Sequence, residues 1–137
     1  PETHAHHKAS ALLALRAVEK LEPAERPVVL ATTIFRNKDD SVSFEWLEGF
    51  PVTRINRDLA PLTFDRTQKF GHDNRLNYNI IANWVIAEHK SQGTMQLFMN
   101  AVKVEVYLYY ALNPVRYYSN AKTFFEAVNT AEIYKRD

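Results

Sequence analysis

Residues 73–112 read DNRLNYNIIANWVIAEHKSQGTMQLFMNAVKVEVYLYYAL, two apolar-rich segments that meet at Ser91, Gln92 and Gly93. In the first, Leu76, Ile80, Ile81, Trp84 and Val85 recur at helical spacing and share one face, with Arg75, Asn79, Asn83 and Lys90 opposite. That pattern predicts a helix whose apolar side turns inward and whose amide-rich side meets water. Asp73 stands where an N-cap carboxylate accepts first-turn amide protons, and Lys90 with Gly93 marks the far end.

The second segment fits two templates. At a helical period, Leu97, Phe98, Ala101, Val104, Leu108, Ala111 and Leu112 form a stripe, with Thr94 as cap and Asn113-Pro114 as terminator. At period two, Val102, Val104, Val106 and Leu108 alternate with Lys103, Glu105 and Tyr107, whose company of β-branched and aromatic residues suits a strand. One strand over 95–112 would reach about 60 Å at roughly 3.3 Å per residue, too long for a small domain unless it folds back. The expectation is therefore a helix.

Upstream, Leu12, Leu13, Leu15, Val18 and Leu21 lie in a run of helix formers from about residue 9 to 21, preceded by a tail over about residues 1–8. Residues 28–35 are apolar on both faces, and Val42, Phe44 and Trp46 alternate with polar neighbours after the polar loop 36–40, which predicts a β-hairpin over 28–48. A third strand is expected at 52–55 or 62–64, where Pro61 confines it to a start or an edge. After Pro114, Ser119 is expected to cap a last helix with Ala121, Phe124, Phe125 and Val128 inside. The fold class is α+β: an N-terminal helix, a small antiparallel sheet and a mainly helical C-terminal half, all within one domain spanning 1–137.

Composition narrows function by exclusion. There is no cysteine, so no disulfide framework or thiolate chemistry, and the chain is expected in the cytoplasm. A net charge of +1 creates no long-range field toward nucleic acid or anionic lipid, and no apolar run approaches the ~20 residues of a membrane helix. Only three glycines are present, against a phosphate-cradling loop. No His-Glu-x-x-His or Gly-x-Ser-x-Gly motif occurs, and neither catalytic residues, cofactor nor metal ligands are assigned.

Two regions remain as candidate binding sites. Tyr107, Tyr109, Tyr110, Arg116, Tyr117 and Tyr118 concentrate rings and a guanidinium group in one segment, the residue types that dominate protein interfaces. They are the expected contact surface of a small non-enzymatic adaptor or regulatory protein whose partner is another protein, a second copy included. Arg54, Arg57, Arg66, Lys69 and Arg75 lie among Phe64, Phe70 and His72, the mixture that phosphate contact and base stacking use, so nucleic-acid binding is the alternative. A third reading rests on Glu88-His89-Lys90, which resembles the Glu-x-Lys pair of restriction-type nucleases. That resemblance implies a metal-dependent nuclease, but the family sets its pair on strands and here it falls in a helix.

Overall fold

The computed structural model describes residues 5–33, 46–89, 91, 93 and 103–130 of the chain. In order these form helix α1 (Ala5–Glu19), strand β1 (Leu30–Thr33), β2 (Leu62–Asp65), β3 (Lys69–Phe70), β4 (Leu76–Asn77), helix α2 (Tyr78–Glu88), β5 (Val104–Tyr109) and helix α3 (Tyr118–Asn129). The class is α+β, as the sequence predicts.

The ambiguous segment is a strand where it is described, not a helix. β5 is the middle member of a three-stranded antiparallel sheet ordered β1-β5-β2. Leu30 pairs with Tyr109 and Thr33 with Val106 on one side, and Leu62 pairs with Tyr107 and Asp65 with Val104 on the other. Two neighbours remote in sequence thus supply both rows of hydrogen bonds, an incentive that a local helical pattern does not register. Pairing runs on past both ends of β5, where Arg66 donates to the Lys103 carbonyl at 2.8 Å and Ile55 bridges Tyr110.

Alternation along β5 divides its side chains between two layers. Tyr107 and Tyr109 turn toward α3, where Tyr107 meets Phe125 at 4.9 Å and Tyr109 meets Tyr118 edge-on at 5.5 Å between ring centroids. Tyr110 faces the other way and joins Leu15 of α1 and Val52 in the core, with Leu12, Val29, Ala31, Ile55 and Leu112 around them. The N-terminal helix therefore covers one face and the C-terminal helix the other.

Several boundaries differ from expectation for local reasons. α1 begins at Ala5, within the segment expected as a tail, and ends at Glu19, where Arg26 folds back to donate to the carbonyls of Glu19 (2.7 Å) and Leu21 (3.0 Å). Asp73 is not the cap of α2. β3 and β4 form a hairpin that consumes residues 69–77, with Gly71, Asp73 and Asn74 at positive φ in its loop, so the helix starts later and Asn77 caps it by accepting from the Ile80 amide at 2.9 Å. Ser119 does not cap α3 either; a 3₁₀ turn, Val115–Tyr117, leads directly into it with Tyr117 at the cap position. Of the hairpin expected over 28–48, β1 is seen, paired with β5, while residues 34–45 lie outside the described residues. The third strand is the 62–64 candidate, an edge strand among the described ones; 52–53 instead belong to a 3₁₀ turn.

Candidate functional site

The tyrosine cluster does not form a contact surface as a unit. Tyr109 is 1% exposed and Tyr110 8%, so both are core residues and are corrected from the expected interface. The reason is the change from helix to central strand, which buries alternate residues on two covered faces. Tyr109 donates its hydroxyl to the Pro114 carbonyl at 2.9 Å, and burial pushes both phenols above their ordinary pKa. Tyr107 is half-buried. Burial, then a hydrogen bond to the Glu105 carboxylate and the charge of that group, holds its hydroxyl well above the usual phenol range. Tyr118 donates to the Ala60 carbonyl at 2.8 Å, which fixes the start of α3 to the loop before β2. Arg116 stacks over the Tyr117 ring at 4.8 Å and donates to its hydroxyl, leaving these two residues as the outward part of the set.

The basic set is likewise dispersed. Arg66 forms an ion pair with Glu105 at 3.4 Å, its side chain 15% exposed, and so neutralises a carboxylate on the central strand. Arg75 pairs with Asp73 in the β3–β4 loop, and Lys69 sits in β3. Arg54 and Arg57 remain together, and with them is a residue the sequence reading placed in a hairpin strand: Trp46. The Arg54 guanidinium lies 5.0 Å from the centroid of the Trp46 ring, a cation–π stack. These three, with Ile55, Asn56, Asp58 and Ala111, line a cleft of about 480 Å³.

Backbone bonds set this cleft at the end of the central strand. Asn56 donates to the Tyr109 carbonyl and Ala111 to the Arg54 carbonyl, both at 2.8 Å. On the tryptophan side, the Leu47 amide donates to Thr53 Oγ1 at 2.9 Å, and that hydroxyl donates onward to the Phe50 carbonyl at 2.8 Å. Thr53 is buried, so the turn that carries Trp46 is tied to the floor that carries Arg54. The signal in the sequence was an aromatic residue eight positions before Arg54. Its alternation with Val42 and Phe44 reads as a strand instead.

A second surface comes from α2. The helix YNIIANWVIAE contains one ionisable side chain besides its leading tyrosine, Glu88, yet none of its residues is buried. Its first turn is anchored: the Tyr78 ring packs at 4.8 Å from Phe64 and 4.6 Å from Phe70, and the Asn79 amide donates to the Arg66 carbonyl at 2.9 Å. The later turns carry Trp84 at 56% exposure and Val85 at 55%. Both were expected on the inner face. The described fold meets α2 mainly at its start, through β4 and the rings around Tyr78, rather than along Trp84 and Val85.

The candidate acid–base residues among those described stand in separate parts of the fold. Asp65 accepts from the amide and hydroxyl of Thr67 at 2.8 and 2.7 Å, a turn-forming role. His72 and Asp73 lie in the exposed β3–β4 loop, and Glu88 is exposed at the end of α2, with Lys90 outside the described residues. Among the described residues, no three histidine, aspartate or glutamate side chains converge to hold a metal ion, and no helix is long and apolar enough to cross a membrane. Compared with protein-family models, with curated proteins and with solved structures, the chain matches none. Function is therefore argued from these surfaces alone.

Proposed function

We propose that the chain is a small non-enzymatic protein-binding module, regulatory or adaptor in kind, whose contact element is α2 and whose partner is a second copy of itself. The observation that carries this is the exposure of Trp84 and Val85 on a helix whose one charged side chain is Glu88, at its end. Large apolar side chains left in water favour association.

Charge supports a second copy over a foreign partner. From Asn79 to Ala87 the helix has no ionisable group, so its middle offers nothing for an oppositely charged surface to select. At its ends stand Arg75, exposed, and Glu88, exposed. Two such helices packed antiparallel about a two-fold axis bring the apolar middle against itself and each arginine toward the other copy's glutamate. Arg116 and Tyr117 remain accessible to a further protein.

Sedimentation velocity across a micromolar concentration range tests the proposal. The expected result is a reversible dimer that Trp84→Glu converts to monomer while circular dichroism stays native. A wild-type chain that sediments as monomer at every concentration, or a Trp84→Glu variant that remains fully dimeric, overturns it.

A further inference from the structure

We propose that the cleft between Trp46 and the 54–58 turn is a binding site for one nucleotide unit, with the base stacked on the Trp46–Arg54 surface and the phosphate held by Arg57 and Arg54. The site is separate from α2 and does not depend on self-association.

Four features point to this ligand. The first is size, since about 480 Å³ lies in the range of small-molecule sites and is scaled to one nucleotide rather than to a helical duplex. The second is the stacked pair itself. Indole and guanidinium at 5.0 Å present delocalised planar surfaces, and planar groups of this kind bind bases with little regard to sequence. The third is charge: two guanidinium groups and one carboxylate line the cleft, a net positive lining that suits a phosphodiester. Asp58, opposite in sign, is placed to accept from an exocyclic amine or a sugar hydroxyl while repelling phosphate toward the arginines. Its own backbone is set by the Asn56 side chain, which accepts from the Asp58 amide at 3.1 Å.

The fourth feature is rigidity. The hydrogen bonds of Asn56 to Tyr109 at the end of β5 and of Ala111 to Arg54, with those of Leu47 and Phe50 through Thr53, hold the lining residues on backbone that is already ordered. A site organised in this way spends little of its binding free energy on ordering loops. The remaining cations of the region do not line the cleft: Arg66 pairs with Glu105 on the central strand, and Lys69 and Arg75 stand in the β3–β4 hairpin. The site is therefore short. With two phosphate-reading guanidinium groups, the logarithm of affinity for single strands should fall against the logarithm of salt with a slope of about −1.4.

A free mononucleotide and a single strand present the same base and phosphate, and the test separates them. The chain has two tryptophans, so Trp84→Phe leaves Trp46 as the only indole reporter and keeps the α2 surface apolar. Adenosine monophosphate and a short oligodeoxyadenylate are titrated separately at low and physiological salt, following Trp46 emission. Saturable quenching by both, with equal affinity, assigns the site to a free mononucleotide; binding of the oligonucleotide at least about tenfold tighter assigns it to a strand. Labelled oligonucleotide anisotropy then follows variants without the reporter. Trp46→Ala should weaken binding by about 5- to 150-fold, as loss of a stacked base does. Arg57→Glu, at an exposed position, should abolish it while circular dichroism stays native. No saturable quenching by either probe at low salt overturns the proposal, as does binding that survives both Trp46→Ala and Arg57→Glu.

Discussion

The carboxamide of Asn113 holds both backbone polar groups of Val29, accepting from its amide at 2.9 Å and donating to its carbonyl at 2.7 Å. The side chain acts as a one-residue strand neighbour for the chain just before β1, and Asn113 is itself buried. Asn113→Ala should cost about 2–4 kcal/mol, because two paired groups lose their partner where water has poor access. Asn113→Asp should cost at least as much, since a carboxylate faces the Val29 carbonyl without a proton to donate. Urea denaturation of both variants measures this, and a stable alanine variant would show that the pair contributes nothing.

Asn129 performs a related task at the opposite side of the sheet. It donates to the Thr63 carbonyl at 2.7 Å and accepts from the Asp65 amide at 2.9 Å, occupying the outer edge of β2 from the end of α3. An uncovered strand edge is a template for intermolecular pairing. Asn129→Ala should lose about 1–3 kcal/mol and aggregate faster on mild heating. Light scattering during a thermal ramp, alongside the denaturation curve, reads both effects.

Gly71 has φ 76° and ψ −169°, a region that residues with a Cβ essentially do not enter. A Cβ there would also stand 3.3 Å from Leu76 Cδ1. At Gly49, φ is again positive, at 80°, but nothing lies within 4 Å of the added atom. Gly71→Ala should therefore destabilise by about 2–3 kcal/mol and Gly49→Ala by about 1 kcal/mol. Equal losses in the two variants would mean that the Leu76 contact and the extended ψ at Gly71 carry no cost.

Three tyrosines, 107, 109 and 110, have phenols raised above the ordinary value of about 10. For a group whose folded pKa is raised, the folded state holds more protons than the unfolded state once pH passes the unfolded value. Stability should thus be unaffected by these groups below about pH 10 and fall as pH rises beyond it. Phenolate absorbance should show a portion of the tyrosines ionising only together with loss of circular dichroism. Complete ionisation while the spectrum stays native would contradict burial of these hydroxyls.

If two copies meet through α2, Arg75 and Glu88 lie at opposite ends of each shared seam. Arg75→Glu should weaken the dimer by about 3- to 10-fold, the scale of two exposed ion pairs related by symmetry. Adding Glu88→Arg to the same chain should restore much of that loss, which sedimentation equilibrium would detect. Additive weakening in the double variant would place the two residues out of reach of one another.

The pattern along the chain was sufficient for the class and for the existence of α1, α2 and α3, though it also read a helix into the segment that forms β5. Leu12 and Leu15 mark the inner side of α1, and Pro61 announces an edge strand at 62; on α3 Phe125 packs inward as expected, whereas Phe124, expected beside it, is 61% exposed. These are local signals: a period, a ring, a missing amide proton. What they left open was decided by contacts across long separations. Residues 104–109 satisfy either period, and the choice fell to β1 and β2, which pair with both sides of that segment. That choice also moved the candidate surfaces. Once β5 is central, Tyr109 and Tyr110 are covered, Arg66 is drawn to Glu105, and the turn carrying Arg54 is hydrogen-bonded at the strand's end beside Trp46. A periodicity records which residues can share a face, whereas which face is buried depends on partners the local sequence does not contain.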